Sequence, residues 1–192
     1  MSKIRILFVT ALLFTTILVA VAYAATMNLS GGTPTALFTQ TSRDGDFITL
    51  TIPFTITASS GDLYIPSQVA LATATSSNAT KIEYCVTRRG TCLTPASSGG
   101  MITSELNYAG TGALSTLPTL TPNGNYIVPS GKTLPFSLVV YVRYDISVMY
   151  AGLYRAKLLT IPYASSDVTS GYTLFSGAGL ASNTFRTPLI GL

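Results

Sequence analysis

From Phe47 to Thr57 the chain alternates strictly between apolar and polar positions. Ile48, Leu50, Ile52, Phe54 and Ile56 are interleaved with Thr49, Thr51, Thr55 and Thr57. Successive side chains of an extended strand point to opposite faces, so this spacing predicts a strand with one buried and one wet face. Pro53 falls in the polar set. It has no N–H to give to a ladder and is expected at an edge or a bulge. Leu134 to Tyr144 repeats the pattern, with Leu134, Phe136, Leu138, Val140 and Val142 on one face and Ser137, Tyr141 and Arg143 on the other. Val139 is apolar on that second face, which marks the strand as central or partly covered. In Leu153–Tyr163, Tyr154, Ala156 and Leu158 point in and Arg155 and Lys157 point out; Leu159 and Ile161 then break the phase, as a bulge does. Lys81–Thr87 sets Ile82, Tyr84 and Val86 against Glu83, Cys85 and Thr87.

Weaker extended segments are Leu63–Ile65, stopped by Pro66, then Ile102–Tyr108, Ala113–Leu120, Tyr126–Val128, Tyr172–Phe175 and Thr184–Ile190. Turn signals separate them at Ser59-Ser60-Gly61-Asp62, Asn123-Gly124 and Ser130-Gly131. Ser67–Ala79 reads as a loop, and Pro95–Gly100 as a break. After the N-terminal segment no stretch has a 3.6-residue period, so no helix is expected. Roughly seven to ten short strands with frequent turns predict an all-β fold, an antiparallel two-sheet sandwich of the immunoglobulin-like kind. A jelly roll is the alternative.

The first residues follow a different logic. Lys3 and Arg5 precede an apolar run from Ile6 to Ala22, which ends in Ala22-Tyr23-Ala24. A positive start, an apolar stretch and small residues at alternate positions form a secretory signal, with cleavage expected after Ala24 and after Ala22 as the second choice. Uncleaved, the 20 residues from Ile6 to Ala25 are long enough to anchor the chain in a membrane. The expected organisation is therefore residues 1–24 as signal peptide, 25–45 as a linker with a candidate edge strand at Ala36–Thr39, and 46–192 as the sandwich. The destination is secreted or at the cell surface.

Composition sharpens this picture. Only 9% of residues are charged, so solubility rests on Ser, Thr, Asn and Gly. Without Lys3 and Arg5, nine basic residues face seven acidic ones, a net charge of +2 instead of +4. So small a balance gives no argument for a nucleic-acid partner. In an exported chain the close pair Cys85 and Cys92 reads as a disulfide. A hairpin centred between Arg88 and Arg89 would set the two directly opposite each other.

Three stretches carry a resemblance. Phe47–Ala58 leads into Gly61-Asp62-Leu63-Tyr64-Ile65-Pro66; then come Val128–Leu138 and Ala151–Leu158. Together they resemble an immunoglobulin-like domain found in uncharacterised secreted or surface proteins of candidate-phyla bacteria. The resemblance implies a sandwich over Asp46–Leu192 and carries no functional residues with it.

Catalytic chemistry has little to work with. There is no histidine, which removes Ser-His-Asp and Cys-His systems and most zinc sites. The acidic residues are Asp44, Asp46, Asp62, Glu83, Glu105, Asp145 and Asp167. Only Asp44 and Asp46 are close in sequence, and Asp44-Gly45-Asp46 reads as a turn rather than a calcium corner, because no ligand run follows. Asn28-Leu29-Ser30 and Asn78-Ala79-Thr80 fit the glycosylation sequon. The expectation is a non-enzymatic protein with no catalytic, metal or cofactor site and a structural or adhesive role in the envelope. Its partners would be other envelope proteins or surface polymers, and a membrane only if the signal is retained. The alternatives are a fibre subunit that assembles by strand addition with Thr26–Gly45 as donor, and more remotely a secreted hydrolase.

Overall fold

The structure is a computed structural model that describes residues 25–40, 45–72, 79–99, 101–108, 120–143 and 152–192. The signal segment 1–24, Asp44, Asn78, Asp145 and the expected strand at 113–120 up to its last residue lie outside the described residues.

The described chain is all-β. Its strands are β1 (Thr26–Gly31), β2 (Thr35–Thr39), β3 (Phe47–Ser59), β4 (Leu63–Pro66), β5 (Val69–Leu71), β6 (Ile82–Arg88), β7 (Thr91–Cys92), β8 (Ile102–Tyr108), β9 (Asn125–Val128), β10 (Thr133–Arg143), β11 (Leu153–Tyr163), β12 (Thr173–Ser176) and β13 (Ile190–Gly191). The first sheet runs β1-β3-β10-β8, with β2 also on β3; the second runs β12-β11-β6-β5, with β13 on β11 and β7 on β6. A two-stranded ladder of β4 and β9 joins them at one end, tied to the second sheet where Tyr64 and Ala164 exchange backbone hydrogen bonds of 2.9 and 3.0 Å.

The alternation in β3 is realised without a slip: Ile48, Leu50, Ile52, Phe54, Ile56 and Ala58 are buried and their neighbours are half-exposed. β10 lies antiparallel to it in an unbroken register from Thr133↔Thr57 to Arg143↔Phe47. Phe136 therefore faces Phe54, with ring centroids 5.8 Å apart, and Tyr108 and Tyr126 approach Phe136 edge-on. From the second sheet Ile82, Tyr84, Val86, Tyr154, Ala156, Leu158 and Ile161 close the same core. β10 is central, between β3 and β8, and Val139 on its outer face is buried as its apolar character implied. The phase break in β11 is a bulge, because the register to β6 shifts between Leu158 and Thr160.

Several expectations are corrected. The expected edge strand at Ala36–Thr39 is present as β2, but the residues ahead of it are not linker: β1 also pairs antiparallel with β3, and β1 and β2 together make one interrupted edge. Pro53 therefore sits on an interior strand and not at an edge, opposite the point where the register to β1 and β2 shifts by one residue, from Gly31↔Phe54 to Thr35↔Thr51. Its carbonyl accepts from Gly32 N–H at 2.8 Å, so its own missing N–H faces the break between β1 and β2, where no ladder partner is needed. Gly32 fits that approach because a Cβ there would lie 2.9 Å from Pro53 Cγ. Ser67–Ala79 is not all loop, since Val69–Leu71 adds a short parallel strand to β6. Helix is not wholly absent: Pro95–Ser98 makes one turn capped by Thr94, and Gly177–Leu180 and Asn183–Phe185 are 3-10 turns. The closing segment 184–190 follows β11 only at intervals, because the turn at Asn183–Phe185 and Pro188 interrupt the ladder.

Candidate functional site

Cys85 and Cys92 are bonded to each other, with their Cα atoms 5.6 Å apart. The hairpin that carries them differs from expectation by one residue. Thr87 pairs with Cys92 and Arg88 with Thr91, so the turn residues are Arg89 and Gly90 rather than Arg88 and Arg89. Both have positive φ, 52° and 85°, as a two-residue hairpin turn matched to strand twist requires. The disulfide is thus diagonal across the ladder, not between directly opposed residues. Cys85 is buried, Cys92 and Arg89 are exposed, and the bridge braces an exposed tip.

The outer face of the first sheet is dense in hydroxyls. The β3 residues Thr49, Thr51, Thr55 and Thr57 point outward; Thr35 is in register with Thr51, Ser30 with Thr55, Thr133 with Thr57 and Ser137 with Pro53, and Thr57 and Thr133 share a 2.7 Å hydrogen bond. At one end of this face Phe47, Thr103, Tyr141 and Arg143 line a shallow depression of about 340 Å³. Tyr141 Oη donates to Glu105 Oε1 at 3.0 Å, and Asn107 Nδ2 donates to the same oxygen at 2.9 Å. The bond to Glu105 comes first, ahead of desolvation and the carboxylate charge, in holding the Tyr141 phenol above its ordinary pKa.

A second polar cluster joins the turn before β9 to the loop after β11. Asp167 Oδ1 accepts from Thr121 Oγ1 at 2.6 Å and from Asn125 Nδ2 at 2.7 Å, and Asn123 Nδ2 donates to the Asp167 carbonyl at 3.0 Å. Tyr172 Oη donates to Asn125 Oδ1 at 2.7 Å. Desolvation works to raise the pKa of Asp167, but the hydrogen bonds from Thr121, Asn125 and Asn123 outweigh it and hold the carboxyl below its ordinary value. Asn125 is fully buried with its side-chain oxygen and nitrogen both bonded, which is what a buried amide requires.

The other carboxylates stand apart from these. Asp62 Oδ1 accepts from Ser130 N–H at 2.8 Å and clasps the turn before β10, while the buried Glu83 accepts from Thr160 Oγ1 at 3.2 Å. Asp46 is described, but its partner in the Asp44-Gly45-Asp46 reading is outside the described residues. No group of three or more His, Cys, Asp or Glu side chains suited to a metal occurs among the described residues. The Asp167–Asn125–Tyr172 cluster had no signal in the sequence, because Asn125 lies 42 residues from Asp167 and 47 from Tyr172 and none belongs to a motif.

No known protein family matches this chain, and no curated protein matches it either.

Proposed function

We propose that this chain is a secreted or cell-surface β-sandwich protein, immunoglobulin-like in arrangement and non-enzymatic, with a structural or adhesive role in the envelope. The observation that carries the reading is the outer face of the first sheet. Rows of threonine and serine hydroxyls on four strands, with Phe47, Tyr141 and Arg143 at one end, form a broad contact surface. Neutral hydroxyls with a few aromatic and basic groups suit hydrogen bonding to a hydrated polymer or protein surface. The immunoglobulin-like arrangement is supported by strand order. With β1 and β2 counted as the first strand, the sheets follow the first-second-fifth-fourth and third-sixth-seventh pattern of such domains, β5 and β7 flanking the third. The disulfide fits an oxidising destination.

The test is fractionation of cells that make the chain, followed by binding of the purified protein to isolated envelopes. Surface exposure to protease and envelope binding that Tyr141→Ala with Arg143→Ala weakens are expected. A cytoplasmic protein with two alkylatable thiols overturns the reading, as does robust turnover of an envelope polymer.

One observation favours a second reading, a fibre-type subunit. Strand β2 is an edge strand of the first sheet, with β13 lying close to it, and on it Leu37 is 63% and Phe38 41% exposed. The segment expected to act as a donor is already paired within its own sheet, so in this reading it serves as the edge on which a neighbouring chain adds its strand.

A further inference from the structure

The C-terminal segment brings two arginines together that lie 31 residues apart. Thr187 fixes the placement: its N–H donates to the Ala156 carbonyl at 3.0 Å, and its hydroxyl accepts from Ala156 N–H at 3.0 Å. Arg186 is thereby set opposite Lys157 on β11, one pleat from Arg155. Arg155 and Arg186, with Asn183, Thr187, Pro34 and Pro188, line a cleft of about 350 Å³. That size lies in the range of small-ligand sites. Among the described residues no carboxylate lines it. Among the described residues neither guanidinium has an ion pair or a hydrogen bond, and Arg155 Nε is buried with no acceptor. A buried donor without a partner is costly, and a guanidinium fork is shaped to give paired hydrogen bonds to an oxyanion.

We infer that this cleft is a binding site for a tetrahedral oxyanion, phosphate or sulfate, held between the Arg155 and Arg186 guanidiniums with the Asn183 amide as a further donor. Two forks with Lys157 beside them offer more donors and more charge than a carboxylate can use, whereas a phosphate has oxygens enough for both. The cleft is larger than one such ion needs, so the group can belong to a polymer such as a phosphodiester chain. The site is on the opposite sheet from the hydroxyl face and does not depend on the adhesive reading.

The test is titration calorimetry of the purified chain with inorganic phosphate, sulfate and a poly(glycerol phosphate), each matched in ionic strength by chloride. Arg186→Gln, Arg155→Gln and the distant Arg89→Gln are compared, with a thermal melt in chloride to confirm that each is folded. Arg186→Gln is expected to retain the fold, because Thr187 holds this segment to β11. Saturable phosphate or sulfate binding is expected, weakened about tenfold or more by Arg186→Gln and unchanged by Arg89→Gln. Binding of the polymer in competition with inorganic phosphate identifies a polymer-borne group, and binding of the free ion alone identifies a free anion as the source. No binding in the parent protein, equal binding in Arg186→Gln, or preference for a carboxylate polymer such as polyglutamate overturns the inference.

Discussion

Asn125 Nδ2 donates to Asp167 Oδ1 at 2.7 Å across 42 residues of chain. The same nitrogen donates to the Val168 carbonyl at 2.8 Å, and Asn125 Oδ1 accepts from Tyr172 Oη. One buried amide thus fastens the turn before β9 to the loop between β11 and β12. Replacing Asn125 by Ala leaves Asp167, the Val168 carbonyl and Tyr172 with fewer partners and is expected to cost about 1–3 kcal/mol. Tyr172→Phe removes one hydroxyl and should cost about 0.5–1.5 kcal/mol. Urea unfolding at pH 7 checks both, and a loss at Tyr172 that exceeds the loss at Asn125 would mean that the ring, not the amide, holds the loop.

The same cluster gives the protein an acid sensitivity with a definite sign. Hydrogen bonds hold the folded pKa of Asp167 below its unfolded value of about 3.9. The unfolded chain then binds the proton more readily, so this contribution is complete above the unfolded pKa and is lost as pH falls through the folded one. Asp167→Asn should flatten the decline in melting temperature over that acid range. An unchanged slope in Asp167→Asn would assign the acid sensitivity to other carboxylates.

The core makes a sharper contrast. Phe54 is 2% exposed and packs against Phe136, whereas Thr55 beside it points outward. Phe54→Ala is expected to cost about 3–5 kcal/mol. Thr55→Ala should stay within about 0.5 kcal/mol. Denaturant curves for the two variants compare the faces directly, and equal losses would contradict the register of β3 against β10.

These contrasts also show what could be read from the chain. Alternation alone located β3, β10 and β11 and sorted Ile48 through Ile56 from their threonine neighbours, because a half-buried strand writes its burial into every second residue. β2 was legible as the edge strand at Ala36–Thr39, but β1 was not, for the same reason: at a sheet edge the burial is partial, and Thr26–Gly31 shows only one buried residue, Met27. Pro53 signalled an interruption of the ladder but not its place: the missing donor faces the irregular break at Gly32 on an interior strand, which is a tertiary fact. The disulfide was legible from two cysteines seven apart, but not its register, since Gly90 drew the turn one residue onward. The Arg155–Arg186 cleft depends on how the C-terminal segment returns along β11, and no local pattern encodes that path.

At the hairpin, the bridge closes a segment with a sequence separation of 7. A loop that short gains only about 2.5 kcal/mol in the chain-entropy account. Cys85→Ala with Cys92→Ala should therefore lower stability by about that amount and leave the sandwich folded. Arg89 has a left-handed backbone at φ 52°, which disfavours a side chain other than Asn, Asp or Gly. Arg89→Asn should recover roughly 1 kcal/mol. Thermal melts of the two variants test the pair of effects; unfolding of the double alanine variant would show that the bridge holds more than its own hairpin.

The edge strand β2 makes the last prediction, which belongs to the fibre-type reading. Odd-numbered residues of β3 from Phe47 to Pro53 turn their backbone groups toward β1 and β2, as the Gly32–Pro53 bond shows, so Thr35, Leu37 and Thr39 face β3. Ala36 and Phe38 consequently present their N–H and C=O groups outward. A second copy laid antiparallel about Leu37 would set Ala36 against Phe38 of the other copy in two hydrogen-bonded pairs, about four bonds in all. Leu37 would meet its counterpart on the outer face, and the small Ala36 would sit beside the large Phe38 on the inner one. Thr35–Thr39 is uncharged, so no like charges within the strand itself oppose a second copy. Analytical ultracentrifugation should find concentration-dependent association. Leu37→Lys should abolish it by placing two like charges face to face, with little change in the monomer's stability, because Leu37 is already mostly in water. A protein that stays monomeric at high concentration, or a Leu37→Lys variant that associates as before, rules out this edge as the assembly surface.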